Sequence, residues 1–355
     1  METDILGGPG GARRTAGGPP GAHQAAGPAS RRAPSHACDT LDRKLLHALD
    51  LDARAPFSRI ATVLGVSDQT VARRYRRLRA TARLRVVAVR DPHLLGQPQW
   101  TLRLRCAPEA AEAIAEALAR RSDTVWVALA SGGTEVTLHV RPRSRGEEQD
   151  LLLGRLPRTP RIVEIRAQQV LHRFFGGPSG WTRKTGALSA AQAAALTPPP
   201  VVPPGPARIT PDEEPLVAAL ERDGRGTLPE LQRATGRTES WVKRRLAALL
   251  ASGAIYLDVE YDTDALGYQC AFLLSLTTAP SALDGVGRAL AGHPEIAYAV
   301  ATTGPANLMA VAVTTDTASF YHYVSTRLGA LEGVQHVETA PFMSRVKQLT
   351  YPVPR

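Results

Sequence analysis

Between Ser67 and Arg85 the chain carries side chains with the chemistry of a duplex reader. Gln69 and Thr70 can bond base edges, and Arg73 can offer guanine O6 and N7 two parallel N–H donors. Arg74, Arg76 and Arg77 can neutralise phosphates. Asp68 is the single acid in the run, whereas a merely solvated helix face usually mixes its signs. The other reading of the run is such a face in an Arg-rich chain. A second run, Thr238 to Leu249, offers Ser240, Lys243, Arg244 and Arg245 but adds Glu239, so weaker contact with DNA is expected there. Its other reading is a part given over to dimerisation or scaffolding.

Two glycine turns suit a small zwitterion. In Ser131-Gly132-Gly133 the amides can donate to a carboxylate while Glu135 accepts from an ammonium group. Thr302, Thr303, Gly304 and Asn307 offer a neutral version of that arrangement. Both stretches also read as plain β-hairpin turns, and the two readings stay open. Catalysis finds no organised group, because His47, His93, His139, His172, His293, His322 and His336 are scattered without metal-ligand or triad spacing. There is no Walker-type phosphate loop. Cys38, Cys106 and Cys270 are far apart and odd in number, which argues against a zinc site or a disulfide framework and fits a reducing compartment. No metal, cofactor or catalytic residue is expected, and Met309 and Met343 read as core.

Helices must position the two basic runs. Leu41, Leu45, Leu46 and Leu49 share one helical face, with Thr40 as a cap. Ser58 can cap a short second helix carrying Ile60, Ala61 and Leu64 that stops at Gly65. Ser67 caps a third, whose inner face is Val71, Tyr75 and Leu78. A shift of 171 lays Leu41 to Gly96 on Asp212 to Gly267 without a gap. Leu45, Leu46, Leu49, Ile60, Val71 and Leu78 then fall on Leu216, Val217, Leu220, Leu231, Val242 and Leu249, and Gly65 falls on Gly236. Farther on, a shift of 172 pairs Trp126 with Tyr298, Gly132 with Gly304 and Ile162 with Val334. The whole unit reads as duplicated.

After each helical trio the period changes to that of strands. The first unit reads as a short strand near Leu84 to Val89, a strand through Trp100, Leu102 and Leu104, and a helix over Pro108 to Arg120. Strands at Thr124 to Ala130 and Thr134 to Val140, a helix at Gly146 to Leu156 and a last strand from Arg161 complete it. The order βαββαβ predicts an α+β chain with two copies of a winged helix-turn-helix plus a ferredoxin-like domain, a fold whose bare sheet face needs a partner. The expected divisions are a disordered basic tail (1–38), a helix-turn-helix (39–90), a sensing domain (91–175), a Pro-rich linker (176–211), a second helix-turn-helix (212–261) and a second sensing domain (262–350).

Composition sets the partner class. A formal charge of +10 on 355 residues attracts phosphates, so double-stranded DNA leads and an anionic membrane surface comes second. Genomic base bias is the other source of such a charge. No stretch approaches the roughly 20 apolar residues of a membrane span, and METDILGGPGGARR has no apolar signal core. A cytoplasmic, nucleoid-associated protein without membrane contact is expected.

These features together resemble the leucine-responsive regulator (Lrp/AsnC) family, in a tandem duplicated form. The resemblance rests on Leu41-Asp42-Arg43 with Leu45-Leu46, Val71 to Leu78, Gly253-Ala254-Ile255, Leu266-Gly267-Tyr268 and Thr303-Gly304-Pro305-Ala306-Asn307-Leu308. It covers nearly the whole chain outside tail and linker. It implies a sequence-specific DNA-binding regulator, modulated by an amino acid or related metabolite lodged between paired sensing domains. It also implies a pseudo-dimer within one chain and a capacity for homo-oligomers. The family commonly has Asp three residues after the turn glycine, whereas Glu135 follows Gly132 and Asn307 follows Gly304 here, so the effector is not implied. One alternative is a non-specific architectural chromosome protein. Another is an enzyme like the haem-precursor decarboxylases that share this build, although Tyr298 to Leu308 contains neither His nor Arg.

Overall fold

The computed structural model describes residues 38–199 and 205–349. The tail expected at 1–38 lies outside these residues except for Cys38, as do residues 200–204 of the Pro-rich stretch.

Three helices open the described chain: α1 (Thr40–Leu51), α2 (Phe57–Leu64) and α3 (Asp68–Thr81). The cap of α1 is Asp39 rather than Thr40. Its side chain accepts from the Asp42 amide at 2.9 Å, and Asp42 accepts in return from the Asp39 amide at 3.1 Å, so two orphan donors are satisfied at once. Ser58 does not cap α2, which begins behind Pro56 with no side-chain cap. Gly65 ends it in the left-handed conformation at φ 67°. Ser67 caps α3 as expected, accepting from the Thr70 amide at 3.2 Å. Leu45, Leu46, Leu49, Ile60, Val71 and Leu78 fill the core between the three helices, each buried aliphatic side chain contributing about 1.5–3 kcal/mol.

Strand β1 (Arg85–Arg90) leads into β2 (Trp100–Cys106), α4 (Pro108–Ala119), β3 (Thr124–Ala130), β4 (Glu135–Val140), α5 (Arg145–Gln149) and β5 (Ile162–Phe175). The helix expected over 146–156 is α5, continued by a wider turn over Asp150–Arg155. The segment assigned to a linker at 176–211 is partly folded. It carries a tight turn at Trp181–Thr185 and a short helix α6 (Ala190–Leu196). Trp181, Leu188 and Leu196 are buried against the first three helices. Those apolar side chains explain why this part is no open spacer.

The element order then recurs as α7 (Glu214–Arg222), α8 (Leu228–Thr235), α9 (Glu239–Ala251), β6 (Ile255–Glu260), β7 (Cys270–Thr278), α10 (Leu283–Gly292), β8 (Ile296–Thr302), β9 (Leu308–Thr314), α11 (Thr317–Tyr323) and β10 (Val334–Lys347). β1 and β6 pair antiparallel, Val86 facing Val259 and Ala88 facing Leu257. A shift of 171 carries the first of these pairs onto the second.

The other eight strands close a barrel in the order β10-β3-β4-β2-β5-β8-β9-β7. Each half supplies four neighbours in ferredoxin-like order, and β5 and β10 are shared. Residues 162–169 of β5 pair with β2 while 170–175 pair with β8. Likewise 334–341 of β10 pair with β7 and 342–347 with β3. Closure removes the exposed strand edges that invite misassembly. Period-2 alternation sorts the faces. Leu102, Leu104, Val136 and Leu138 pack under α4, while Thr101, Arg103, Glu135, Thr137 and His139 occupy the opposite face and are buried too.

Candidate nucleic-acid interface and glycine turns

Helix α3 presents Gln69, Arg73, Arg76 and Arg77 at its surface and leaves Thr70 and Arg74 half-buried. Arg73 makes no hydrogen bond or ion pair with any described residue. Its freedom follows from position, because its neighbours one turn away on that face are also polar and short of acids. Arg74 and Arg77 stand differently. Asp42, fully buried, accepts from Arg74 Nη1 at 3.0 Å and from Arg77 Nη2. Arg74 also donates to Asp39, a bond that raises the Arg74 pKa above its usual range. Both arginines are thus engaged within the head, Arg77 while remaining exposed, because a buried carboxylate needs a cation to offset its lost hydration. They lock α1 to α3.

The second trio repeats the lock. Arg245 Nε donates to Glu213 Oε1 at 2.6 Å, and Glu213 is 1% exposed. Arg245 is thus also occupied inside. Thr238 caps α9, accepting from the Trp241 amide at 3.4 Å. Ser240 and Arg244 are exposed. Lys243 is exposed as well but lies 2.6 Å from Glu239, one turn back. Glu239 thus neutralises one of the cations expected to meet phosphate.

The glycine turns are built and internally bonded. Ser131, Gly132 and Gly133 have φ of 54°, 72° and 85°, and Ser131 Oγ donates to Glu135 Oε2 at 2.9 Å. Arg103 grips Glu135 at 2.5 and 3.1 Å and reaches Glu338 on β10 at 2.6 Å. Burial by itself would lower the Arg103 pKa, but the two carboxylates outweigh it and raise it. Glu135 meets an internal guanidinium where an ammonium ligand was expected. In the other turn Asn307 is bonded on both sides of its amide. It accepts from the Thr278 amide and donates to the Thr278 carbonyl, each at 2.9 Å. Thr302 Oγ1 donates to the Ala306 carbonyl at 2.9 Å, and Thr303 Oγ1 accepts from the Gln169 amide at 2.9 Å. Gln168 lies against Gly304, where a Cβ would approach it to 2.8 Å. Each turn rests on a long strand belonging to the other half.

Sequence reasoning missed Arg54 and Arg225, which join the two helical trios, and a group of cations around the C-terminal end of β4. The first pair has a visible signal, an Arg at the same place in both helical trios. The second has none, because its members come from four separate elements. Among the described residues no three His, Cys, Asp or Glu side chains gather as a metal site, and no helix is long and apolar enough to cross a membrane.

Residues 39–79 match the AsnC-type helix-turn-helix domain, and residues 271–352 match the Lrp/AsnC ligand binding domain. The chain is similar to the HTH-type transcriptional regulator FL11 of Pyrococcus horikoshii, at 26% identity over 136 residues, 38% of this chain and 89% of that protein. The regulator of the same name from Pyrococcus furiosus aligns with the same identity and coverage. Among solved structures, the siroheme decarboxylase NirDL superposes with a TM-score of 0.57 at 14% identity, over 88% of this chain and 94% of that one. At that identity the likeness concerns the fold alone. Two stretches of the chain, 39–79 and 271–352, thus match domains of the Lrp/AsnC type.

Proposed function

We propose that this chain is a DNA-binding transcriptional regulator whose affinity for DNA is set by a small metabolite, built as a pseudo-dimer of two tandem Lrp/AsnC units. The observation that carries the reading is the surface of α3. There Gln69, Arg73 and Arg76 face solvent without an acidic partner among the described residues, and all three fall within the matched AsnC-type domain. The domain divisions 39–90, 91–175, 212–261 and 262–350 are retained, with 176–196 attached to the first head. Support for the tandem reading comes from the recurring element order and the register of the β1–β6 ribbon. Gln69, Thr70, Arg73 and Arg76 are assigned to base and phosphate contact in the first head, and Ser240, Lys243 and Arg244 in the second. The turns at Ser131–Glu135 and Thr302–Asn307 are assigned to an amino acid or related effector that must displace internal bonds to enter.

The test is binding of the full chain to DNA from upstream of its own gene and to shuffled DNA, across salt and with pooled amino acids. Preference for the former by about 10³-fold or more, changed by an amino acid, supports the proposal. Equal and steeply salt-dependent binding to both replaces it with an architectural role.

An enzymatic second reading draws on the likeness in fold to a siroheme decarboxylase and on one local contact. The rings of His139 and Tyr298 lie 5.1 Å apart inside the barrel, although the two residues are distant in sequence. Titration with a tetrapyrrole carboxylate, followed by absorbance, decides it. A shifted band and release of carbon dioxide support the enzyme, and an unchanged spectrum removes it.

A further inference from the structure

Among the described residues four buried side-chain polar atoms have no hydrogen-bond partner: Arg74 Nε, His139 Nδ1, Arg141 Nε and Tyr256 Oη. Folded proteins pair nearly all such atoms. Three of the four share one neighbourhood, because the charge of Arg141 acts on both His139 and Tyr256. Arg141 follows the C-terminal end of β4, about 26 Å along the chain from the Ser131–Gly133 turn at about 3.3 Å per residue. It is thus remote from the Ser131–Gly133 turn.

Arg141 lines a cleft of about 330 Å³, a volume at the low end for small-molecule sites. The walls come from β1, α7, the end of β4 and the end of β10, so both halves contribute. Five cations line it, Arg90, Arg141, Arg143, Arg222 and Lys347, against the single carboxylate of Glu221. Arg90 is already matched, lying 2.8 Å from Glu221 and 2.7 Å from Glu214. Arg141, Arg143 and Arg222 form no ion pair among the described residues. Lys347 is 3% exposed and gives one N–H to the Arg121 carbonyl at 2.6 Å, leaving two donors over. Burial pulls its pKa down to about 8 although the charges of Asp123 and Glu260 act to raise it, and a further anion would relieve the remaining penalty. Val125 and Leu349 also line the cleft, apolar surface that suits an organic body better than bare phosphate.

We propose that this cleft binds a small organic polyanion carrying two or more carboxylate or phosphate groups, with Arg141, Arg143, Arg222 and Lys347 as its counter-charges. Too small for a macrocycle, the cleft takes a metabolite-sized ligand. Because α7 belongs to the second helical trio and Arg141 to the barrel, occupancy bridges a head to the sensing body. The claim concerns binding and stands apart from the DNA-binding role, so each can fail alone.

The experiment is calorimetric titration of the full chain with citrate, with pyrophosphate and with neutral glutamine, on wild type, Arg141→Met, Arg222→Glu and Arg73→Ala. Expected is one-to-one binding of citrate or pyrophosphate but not glutamine, weakened at least tenfold in Arg141→Met and in Arg222→Glu and unchanged in Arg73→Ala. Whichever anion binds identifies carboxylate or phosphate chemistry. Arg222 is exposed, so its substitution leaves folding intact and keeps the test decisive if Arg141→Met unfolds. No binding of either anion, or binding indifferent to Arg222→Glu, overturns the proposal. So does an effect of the two cleft variants on duplex DNA alone, which would assign these cations to the nucleic acid.

Discussion

Arg54 and Arg225 hold each other's turns. Arg54 donates to the Gly224 carbonyl at 2.5 Å and to the Gly226 carbonyl at 3.0 Å. Arg225 donates to the Ala53 carbonyl at 2.6 Å and to the Ala55 carbonyl at 3.0 Å. The partners correspond under the shift of 171, so the contact maps onto itself when the halves are exchanged, as an isologous dimer contact does. Burial lowers the pKa of both guanidinium groups from the usual arginine value. Each fork nevertheless satisfies two carbonyls, and Arg225 also stacks over the Phe57 ring at 4.6 Å.

Replacing either arginine by alanine removes two charge-assisted bonds and exposes paired carbonyls to loss of their partners. A destabilisation of about 1.5–3 kcal/mol is expected for each variant, measured by urea unfolding of the full chain. Lysine should not restore it, since an ammonium cannot span two carbonyls as the planar fork does. A loss below about 0.5 kcal/mol, the usual range for surface substitutions, would mean the clasp is incidental.

The lock around Asp42 separates two kinds of basic residue on one helix. Arg74→Ala removes a partner from a fully buried carboxylate and should cost about 3–5 kcal/mol of stability, with Arg77 moderating the loss. Arg73→Ala should leave unfolding unchanged and remove about 1–3 kcal/mol of preference for specific DNA. Parallel denaturation and DNA titration check both. If Arg73→Ala binds specific DNA like wild type, α3 is not the reading helix.

Much of this was legible because local rules act alone at some positions. Ser67 caps α3, Gly65 ends α2, and the shift of 171 shows in the apolar spacing of Leu45 and Leu216. Other features depend on neighbours distant in sequence. Nothing within Arg74 or Arg77 says that Asp42 will be buried beneath them. The alternation in β5 runs past Gln169 without signalling that its pairing passes from β2 to β8 there. Trp181 and Leu196 sit in a Gly-, Ala- and Pro-rich region whose composition hides two anchoring side chains. The turn at Glu135 was located correctly, but Arg103, 32 residues earlier, decides what its carboxylate meets.

Burial of His139 among barrel residues lowers its pKa to about 3, with the Arg141 charge adding to the effect. The unfolded histidine titrates near its ordinary value of 6.5. Between those values the unfolded chain binds the proton and the folded chain does not, so the contribution of neutral His139 is complete above pH 6.5 and is lost as pH falls toward 3. The stability of wild type relative to His139→Gln should therefore fall with acidification by at most about 1.4 kcal/mol per pH unit. Urea unfolding of both proteins between pH 7.5 and about 4.5 measures it, and taking the difference cancels the opposing titration of Asp50 and Asp258, whose burial raises their pKa values to about 6 and about 7. A flat difference would show that His139 is solvated or charged.

The acid that opens the third helix is paired in the second head, where Glu239 lies 2.6 Å from Lys243 on the exposed face of α9. If α9 meets DNA, this acid both occupies a cation and repels phosphate. Glu239→Gln should then tighten binding and steepen the plot of log affinity against log salt by about 0.9, the increment for one further phosphate neutralised. The substitution also removes an anion favoured beside a helix N-terminus, a loss of about 0.3–1 kcal/mol in stability, so a gain in affinity would come despite a slightly weaker helix. Footprinting should show the second half-site becoming more evenly protected beside the first. The matching change in α3, Asp68→Asn, serves as the control because among the described residues Asp68 bonds only the neighbouring Gln69 amide. An unchanged salt slope for Glu239→Gln, with the control still binding, would place DNA contact on the first head alone and leave α7 to α9 a structural role.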